Sequence, residues 1–323
     1  MANRSEVVSA DIERRRREEA EADSAEIDRT PVRTYWQLVR GRFLQNRLAV
    51  FGLGVIGVLA LYAIIIPSVT DEAWRTTQLF RDDAPAELFT EDGEFVFAVL
   101  GYNENGVNLF ARLAKATQTS LLIGLAAVAI IMGIGIFIGS IAGYVGGWID
   151  NILMRVVDIV LSLPGLFVIL MITAFFGAGN VWVVIFAIGL TGWTTAARLL
   201  RAEFLSLREV DYVQAARALG APPQRIILRH MLPPAMAPIV VAATLGIADS
   251  VVVEASLSFL GFGLGGESAS LGTMLQGALS YFFSGPLKVI YPGVVLILIV
   301  LAASFLGDGL RDALDPRQRV EAK

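Results

Sequence analysis

The sequence predicts an all-α membrane protein with six transmembrane helices and both termini in the cytoplasm. Two features of the composition support this fold class: 55% of the 323 residues are hydrophobic and only 17% are charged. Soluble proteins carry about 45–50% apolar and about 25% charged residues, so much of this chain's surface is expected to face lipid. The third observation is the distribution of apolar stretches and arginines, which sets the number and the direction of the spans.

Six apolar stretches are candidates for the transmembrane helices, because about 20 apolar residues are needed to cross the hydrocarbon core of a bilayer. The stretches are 48–69, 118–143, 152–176, 181–197, 236–260 and 290–307. The first lies too deep in the chain and is too long to be a cleaved signal peptide. We therefore expect an uncleaved first transmembrane helix within 41–69, and a membrane core of five further helices over 118–310.

The arginines give the orientation, because an excess of arginine near the ends of spans marks the cytoplasmic side. Residues 1–47 hold ten arginines and segment 198–235 holds six, whereas 70–117 holds three and 261–289 none. Six spans with both termini inside place every long segment on its expected side. Segment 70–117 is then extracellular, and residues 311–323 form a cytoplasmic tail.

The N-terminal 40 residues are polar and dense in charge, with four consecutive arginines at 14–17 followed by several acids. Such a segment buries too little apolar surface to offset the entropy lost on ordering. Residues 1–40 are therefore predicted to be a disordered cytoplasmic tail, either free in solution or in contact with anionic lipid. Segment 70–117 is long enough for a small cap or a surface helix, but not for a domain.

Glycine and proline mark two features within the spans. Gly135, Gly139 and Gly143 recur every four residues along the second span, which places them near one helical face where a neighbouring backbone can approach closely. This glycine seam is either a packing contact at a moving interface or ordinary static packing. Pro164 interrupts the third span and predicts a kink, because proline lacks a backbone donor and clashes with the preceding turn.

Four charged residues lie within the predicted spans. Arg155 and Asp158 are three residues apart near the cytoplasmic end of the third span, where they are expected to pair with each other. Asp249 and Glu254 lie within the fifth span, where charged groups usually face the bundle interior or an aqueous path. Both are candidates for a translocation path. Glu254 would instead lie at the outer interface if that span ends early.

Motif searches give no support for an enzyme. The chain has no cysteine and a single histidine, His230, which excludes disulfides, thiolate metal sites and histidine-rich metal motifs. It lacks a G-x-x-x-x-G-K-[ST] phosphate loop and a G-x-S-x-G nucleophile elbow. We therefore expect no catalytic residue, no metal and no cofactor in this chain. The net charge of −4 is small, and no nucleic-acid partner is expected.

Segment 198–235 is too long for a simple hairpin between spans, and its sequence predicts a helix–turn–helix. Asp211 is placed to cap a short helix, and Gly220 follows Leu219 where a left-handed cap would end that helix. Pro222 and Pro223 are suited to start the next helix, and Pro233 and Pro234 are expected to end it before the fifth span. The smooth alanine-rich first helix suits docking into a cleft on a partner protein. It equally suits an amphipathic helix lying on lipid headgroups.

Three motifs bring in a family resemblance. Gln214-Ala215-Ala216-x3-Gly220, followed after nine residues by His230-Met231-Leu232-Pro233, closely resembles the EAA loop of ABC importer permeases. Segments 255–263 (ASLSFLGFG) and 306–316 (LGDGLRDALDP) resemble the dipeptide/oligopeptide branch of that family, in its C-type permease. The resemblance covers about residues 40–317, except for much of 70–117. It implies a type I ABC importer permease fold, with residues 118–310 as the permease core.

The resemblance assigns a docking role for an ATPase to part of the cytoplasmic loop. The residues that it assigns are Asp211, Tyr212, Gln214, Ala215, Ala216, Gly220, His230, Leu232 and Pro233. The chain departs from the family pattern at Gln214, where the pattern has Glu, and at His230, where the pattern has Ile. A neutral amide at 214 excludes an ion pair to the ATPase from that position. Before the second span, Asn103 and Asn108 stand where the branch usually carries acids.

The function implied by the resemblance is that of a multi-pass permease subunit in a prokaryotic plasma membrane, importing short peptides by alternating access. A homologous second permease subunit, two ATPase subunits and an extracellular substrate-binding protein are the implied partners, and ATP and Mg²⁺ would bind to the ATPases. Branch members also resemble carriers of nickel and of glycosides. Two alternatives remain open: a proton-coupled secondary transporter using Asp158, Asp249 or Glu254, and a membrane-embedded enzyme.

Overall fold

The computed structural model describes residues 35–70, 87–89, 95–103, 106–265, 268–283 and 285–314. Its elements in chain order are α1 (Tyr35–Gln45), α2 (Arg47–Val69), β1 (Glu87–Phe89), β2 (Phe95–Ala98), α3 (Leu109–Val145), α4 (Gly147–Ser162), α5 (Gly165–Phe176), α6 (Val181–Leu207), α7 (Asp211–Ala218), α8 (Pro223–Arg225), a π-helical turn (Ile226–Met231), α9 (Leu232–Phe259), α10 (Leu271–Ala278), a 3₁₀ turn (Leu279–Tyr281) and α11 (Leu287–Leu314). The chain divides into two units between Arg42 and Phe43, and residues 35–42 are the described part of the first. All the transmembrane helices belong to the second unit.

The helices confirm the six predicted spans, with one of them broken. Within the part of the chain that the structure describes, five helical segments are long and apolar enough to cross a membrane: α2, α3, α6, the continuous segment Pro223–Phe259, and α11. Helices α4 and α5 meet the same criteria only as a pair, and they are bent by 82° relative to each other. The third span is therefore two short helices rather than one.

The break between α4 and α5 lies at Leu163 and Pro164. Both residues have extended backbones, with ψ angles of 137° and 109°. Proline disfavours a helical conformation in the residue before it and supplies no N–H of its own, so α4 ends at Ser162 and α5 starts afresh at Gly165. The kink predicted at Pro164 is therefore present, and it is a complete break between two helices rather than a bend within one.

Two further helix boundaries differ from the hydropathy-based ones. Helix α3 begins at Leu109 rather than at 118, because the Asn108 side chain caps it by accepting from the N–H groups of Phe110 and Ala111 at 3.0 and 3.2 Å. Helix α6 continues to Leu207, well past 197. Charged residues in these end turns lower the hydropathy without ending the helix.

The predicted extracellular segment 70–117 contains a small β-structure in addition to the start of α3. Strands β1 and β2 pair antiparallel, with Phe89 opposite Phe95. The rest of this segment up to residue 94 lies outside the described residues, so the prediction of a cap or surface helix is not tested there. The predicted disordered tail also lies outside them, except that α1 covers its end from Tyr35. Helix α11 runs to Leu314, so the first four residues of the predicted C-terminal tail 311–323 are helical.

The glycine seam packs α3 directly on α6. A Cβ atom added to Gly135 would lie 2.5 Å from the Cβ of Ala196, and one added to Gly143 would lie 2.5 Å from the Cβ of Phe204. A Cβ atom on Gly139 would lie 2.6 Å from the carbonyl oxygen of Ala197. The two helices are therefore so close that only hydrogen fits at these positions, which is the small-residue packing mode of membrane helices.

Candidate functional site

Helix α7 is the first element of the loop that the sequence predicts to be cytoplasmic, and it begins at Asp211. The N-cap is Val210, which offers no side-chain hydrogen bond to the exposed amides. The predicted capping role of Asp211 is therefore wrong by one position. Its carboxylate lies in the first turn, where a negative charge interacts favourably with the helix dipole.

A Schellman motif at Gly220 ends α7. The N–H of Gly220 donates to the carbonyl of Arg217 at 3.0 Å, and the N–H of Ala221 donates to the carbonyl of Ala216 at 3.1 Å. This pattern requires a left-handed residue after the helix, and Gly220 has φ of 77°. The turn predicted from the sequence is therefore present, and it is a rigid hydrogen-bonded reversal rather than a loose link.

The second arm of the loop continues without interruption into the fifth span. Pro223 is the first residue of α8, as expected from its fixed φ. Pro233 and Pro234 were expected to end the helix, but they lie in the first turn of α9. The π-helical turn before them takes a wider path, in which the N–H of Leu232 donates to the carbonyl of Ile227. This wider turn carries the chain past two prolines that break the α-helical pattern.

One side of the loop is anchored in a buried apolar cluster. Val213, Ile226 and Met231 are completely or almost completely buried, and they pack together with Leu200 and Phe204 of α6. Because both arms share this cluster with the end of α6, the loop is held rigidly against the base of the helix bundle.

The other side of α7 is exposed and partly apolar. Tyr212, Ala215 and Leu219 follow each other at helical spacing on this face, which we call the exposed face. Leu219 is 88% exposed, so the described residues leave most of its side chain uncovered. Sequence reasoning places Leu219 at the end of the predicted contact helix Tyr212–Leu219 but does not single out its side chain, although a leucine off the buried stripe was the available signal.

The remaining loop residues assigned by resemblance differ in how far their side chains are exposed. Asp211, Gln214, Gly220 and Pro233 are exposed, whereas Ala216, His230 and Leu232 are half-buried. The side-chain amide of Gln214 donates to the backbone carbonyl of Glu209 at 3.1 Å. His230 lies in the π-helical turn.

Two ion pairs tie α4 to α6 just above the loop. The guanidinium of Arg201 donates to both carboxylate oxygens of Asp150 at 2.5 and 2.6 Å. Arg198 pairs with Asp158 at 2.5 Å. The expected pair between Arg155 and Asp158 is therefore wrong, because Asp158 points across to the neighbouring helix. Sequence reasoning missed the Asp150–Arg201 pair, which joins residues far apart in the chain.

A cleft of about 280 Å³ lies between α3, α5, α6 and α9 within the membrane region. Asp249 and Thr195 of α6 line this cleft and are exposed, and Thr191 of α6 lines it and is half-buried. The remaining walls are mainly apolar, from Ile131, Ile188 and their neighbours.

Glu254 does not line any accessible surface, so its placement in a translocation path is wrong for this structure. Its side chain has 0% exposure. The hydroxyls of Ser120 and Ser258 donate to its two oxygens, each at 2.8 Å. Those serines in turn accept from the backbone N–H groups of Leu271 and Leu264 at 3.2 Å. Glu254 thus holds the segment after α9 against α3.

The fold is a bundle of membrane spans that carries an exposed, hydrogen-bonded helical reversal in one of its loops. The family model described as the binding-protein-dependent transport system inner membrane component matches residues 135–320, and the chain belongs to that family. A second model, the N-terminal transmembrane domain of oligopeptide transport permease C, matches residues 34–85. The chain is therefore a multi-pass membrane permease, and in this family the ATPase activity resides in separate subunits.

Similar proteins extend over most of the chain. The oligopeptide transport system permease protein OppC of Bacillus subtilis is 34% identical over 88% of this chain and 90% of its own length. The OppC protein of Haemophilus influenzae is 33% identical, covering 92% and 94%. The dipeptide transport system permease protein DppC of Alkalihalophilus pseudofirmus is 34% identical, covering 88% and 90%.

Solved structures support the fold. A chain from an inward-facing structure of the MetNI methionine ABC transporter superposes with a TM-score of 0.52 at 20% identity. The superposition covers 63% of this chain and 96% of that chain. The type I importer permease fold predicted from the sequence is confirmed at this level.

Proposed function

We propose that this chain is one permease subunit of an ATP-driven importer of short peptides, and that its cytoplasmic loop docks a separate ATPase. The observation that carries the proposal is the exposed face of α7. Tyr212, Ala215 and Leu219 form a protruding surface with apolar members, supported from behind by a buried cluster and ended by a rigid turn. Such a surface is suited to fit into a groove on another protein.

The loop is built to transmit motion. Its first arm follows directly from α6 and its second arm runs without a break into α9. A displacement of α7 by an ATPase would therefore move two spans together. The pair Asp150–Arg201 would carry the same movement to α4. In this mechanism ATP binding closes the ATPases, the loop moves with them, and the spans tilt towards the outward-facing state; hydrolysis resets them.

The partners proposed for this chain are a homologous second permease subunit, two ATPase subunits and an extracellular substrate-binding protein. ATP and Mg²⁺ would bind to the ATPase subunits, and this chain would contribute no catalytic residue. The class of substrate is proposed from the OppC and DppC relatives, whose names refer to oligopeptides and dipeptides. Asp249 in the membrane cleft is proposed to lie on the translocation path.

A proton-coupled secondary transporter is the second candidate that the sequence left open. Of the three carboxylates it would use, Asp158 is paired with Arg198 and Glu254 is buried between two serines. Asp249 alone among the three is exposed without a charged partner within the described residues. This arrangement favours the ATP-driven mechanism, because a proton relay needs a series of groups that can exchange protons.

Reconstitution of the complete transporter in proteoliposomes tests the proposal. With the binding protein outside and ATP inside, we expect uptake of a labelled dipeptide that requires ATP and is unaffected by a protonophore. Labelled nickel and a labelled glycoside serve as competing substrates in the same vesicles. Uptake driven by a pH gradient without ATP would favour the secondary transporter, and uptake of nickel or glycoside alone would reject the peptide assignment.

A further inference from the structure

The membrane cleft contains a carboxylate that the structure leaves without a partner. Asp249 lies in the central part of α9, and it makes no hydrogen bond or ion pair within the described residues. The other two carboxylates of the predicted spans are compensated, Asp158 by Arg198 and Glu254 by Ser120 and Ser258. A charge in the central part of a span that faced lipid would be costly. Asp249 is therefore placed to face an aqueous path and to meet a positively charged group there.

The polar groups around Asp249 are suited to bind a primary ammonium. Thr191 and Thr195 of α6 line the same cleft. The hydroxyl of Thr191 donates to the carbonyl of Ala187 at 3.0 Å, which leaves its oxygen free to act as an acceptor. A primary ammonium has three donors and no acceptor, so a carboxylate with neighbouring hydroxyl oxygens offers the complementary set of groups.

The apolar part of the cleft fits the remainder of such a ligand. Ile131, Ile169, Ile188 and Val253 form much of its walls, and they can contact an aliphatic side chain without specifying its shape. A strongly hydrated metal ion would find only one carboxylate here, whereas hard divalent cations in proteins take several oxygen ligands. The cleft therefore favours an organic ammonium.

We propose that Asp249 and the hydroxyls of Thr191 and Thr195 form a transient subsite for the protonated N-terminal amine of the peptide during its passage through the membrane. This inference rests on the proposed function, since it deepens the assignment of a peptide as substrate. A single carboxylate in an accessible cleft holds the ammonium weakly, which permits its release to the cytoplasm. The subsite selects for the charge at the end of the substrate and not for its side chains.

The test uses the complete transporter in proteoliposomes with Asp249→Asn and Asp249→Glu. Asn keeps the size of the side chain and removes its charge, whereas Glu keeps the charge. Loss of a hydrogen bond to a charged group corresponds to a factor of about tenfold or more in rate, so we expect Asp249→Asn to lower dipeptide uptake by about that factor. Asp249→Glu should stay within about threefold of the unsubstituted complex. ATP hydrolysis stimulated by the loaded binding protein should persist in both.

A second measurement tests directly whether the free amine of the substrate is recognised. Uptake of a dipeptide is compared with uptake of its N-acetylated form, first in the unsubstituted complex and then in Asp249→Asn. Because both complexes receive substrate from the same binding protein, its own discrimination cancels in the comparison. We expect the preference for the free amine to fall in the variant. An unchanged preference would overturn the proposal.

The controls separate this inference from the proposed function. Asp308→Asn removes an exposed carboxylate near the cytoplasmic end of α11, outside the cleft, and should leave uptake unchanged. Absence of ATP-driven dipeptide uptake in the unsubstituted complex would reject the proposed function itself. Normal uptake by Asp249→Asn in an active complex would reject only the ammonium subsite. Loss of the second permease subunit from purified Asp249→Asn complexes would also reject it, because Asp249 would then be a contact between subunits.

Discussion

Glu254 is a fully buried carboxylate whose two oxygens each accept a hydroxyl hydrogen bond, from Ser120 and Ser258. Burying such a group is tolerated only when it is hydrogen-bonded. The two serines also accept backbone N–H groups from the segment that follows α9. One side chain therefore determines how the outer ends of α3 and α9 and the start of α10 are held together.

Replacing Glu254 by Ala should destabilise the protein, because it leaves two buried hydroxyls without their acceptor. The expected cost is about 1–3 kcal/mol for the unsatisfied groups, with a further cost for the cavity. Thermal unfolding in detergent measures the effect. Glu254→Gln keeps the volume and one acceptor oxygen and should lose less. Equal stability of the Ala variant and the unsubstituted protein would contradict the structural role given to this carboxylate.

Gly220 is the second residue whose identity follows from the backbone. Its φ of 77° is unfavourable for a side chain, although an added Cβ would meet no atom within 4 Å. Gly220→Val therefore strains the turn through the backbone and not through a clash. A left-handed conformation costs an L-residue about 1–2 kcal/mol, so we expect the turn to rearrange and ATP hydrolysis to continue with reduced transport.

The matched control for this prediction is Gly220→Asn, because asparagine adopts the left-handed conformation more readily than valine. It should retain most of the coupling between ATP hydrolysis and uptake. Both rates are measured in the same proteoliposomes. Full coupling in Gly220→Val would show that the turn at the end of α7 is not required for docking.

At the scale of helices, the contact between α3 and α6 depends on the glycine seam. Gly139→Val would place a side chain 2.6 Å from the carbonyl oxygen of Ala197, so the helices must separate. Overpacking of this kind costs about 1–3 kcal/mol, and we expect a matching loss of thermal stability in detergent. Gly133→Val on the same helix is the control, since an added Cβ there meets nothing within 4 Å. A similar loss in both variants would argue against the seam.

Sequence reasoning succeeded where the determining signal is local. The apolar stretches, the spacing of the glycines and the Gly220 turn were all readable from neighbouring residues. It failed where a distant element decides the outcome. Asp158 pairs with Arg198 on another helix rather than with Arg155, and Glu254 is enclosed by serines from two segments. Periodicity reports which face of a helix is apolar, but not which helix covers it.

Two prolines also show that a local sequence signal does not always predict the structure around it. Pro164 lies within a predicted span and Pro233 just before one, yet the helices on either side of the first are bent by 82° and the helical segment continues through the second. The difference is the π-helical turn before Pro233, because its wider turn accommodates the proline within a continuous helical segment. A π-helical turn has no sequence signature as strong as a proline, so its position could not be predicted.

At the scale of the whole molecule, the distribution of charge and of apolar surface predicts one direction of insertion. The loop with α7 and the C-terminal end of α11 belong to the cytoplasmic side, and the segment with β1 and β2 to the outer side. The chain contains no cysteine. Single cysteines can therefore be introduced and labelled without first removing any native thiol.

Leu219→Cys and Val99→Cys test this topology. Leu219 is 88% exposed on the loop and Val99 is 43% exposed on the outer segment, so both positions tolerate a thiol and leave it accessible. In intact cells, we expect a membrane-impermeant maleimide to label Val99→Cys and not Leu219→Cys. In inside-out vesicles, the pattern should reverse, and the opposite result in either preparation would overturn the orientation. Addition of the ATPase subunits to stripped vesicles should then protect Leu219→Cys, because docking on the exposed face of α7 covers that side chain.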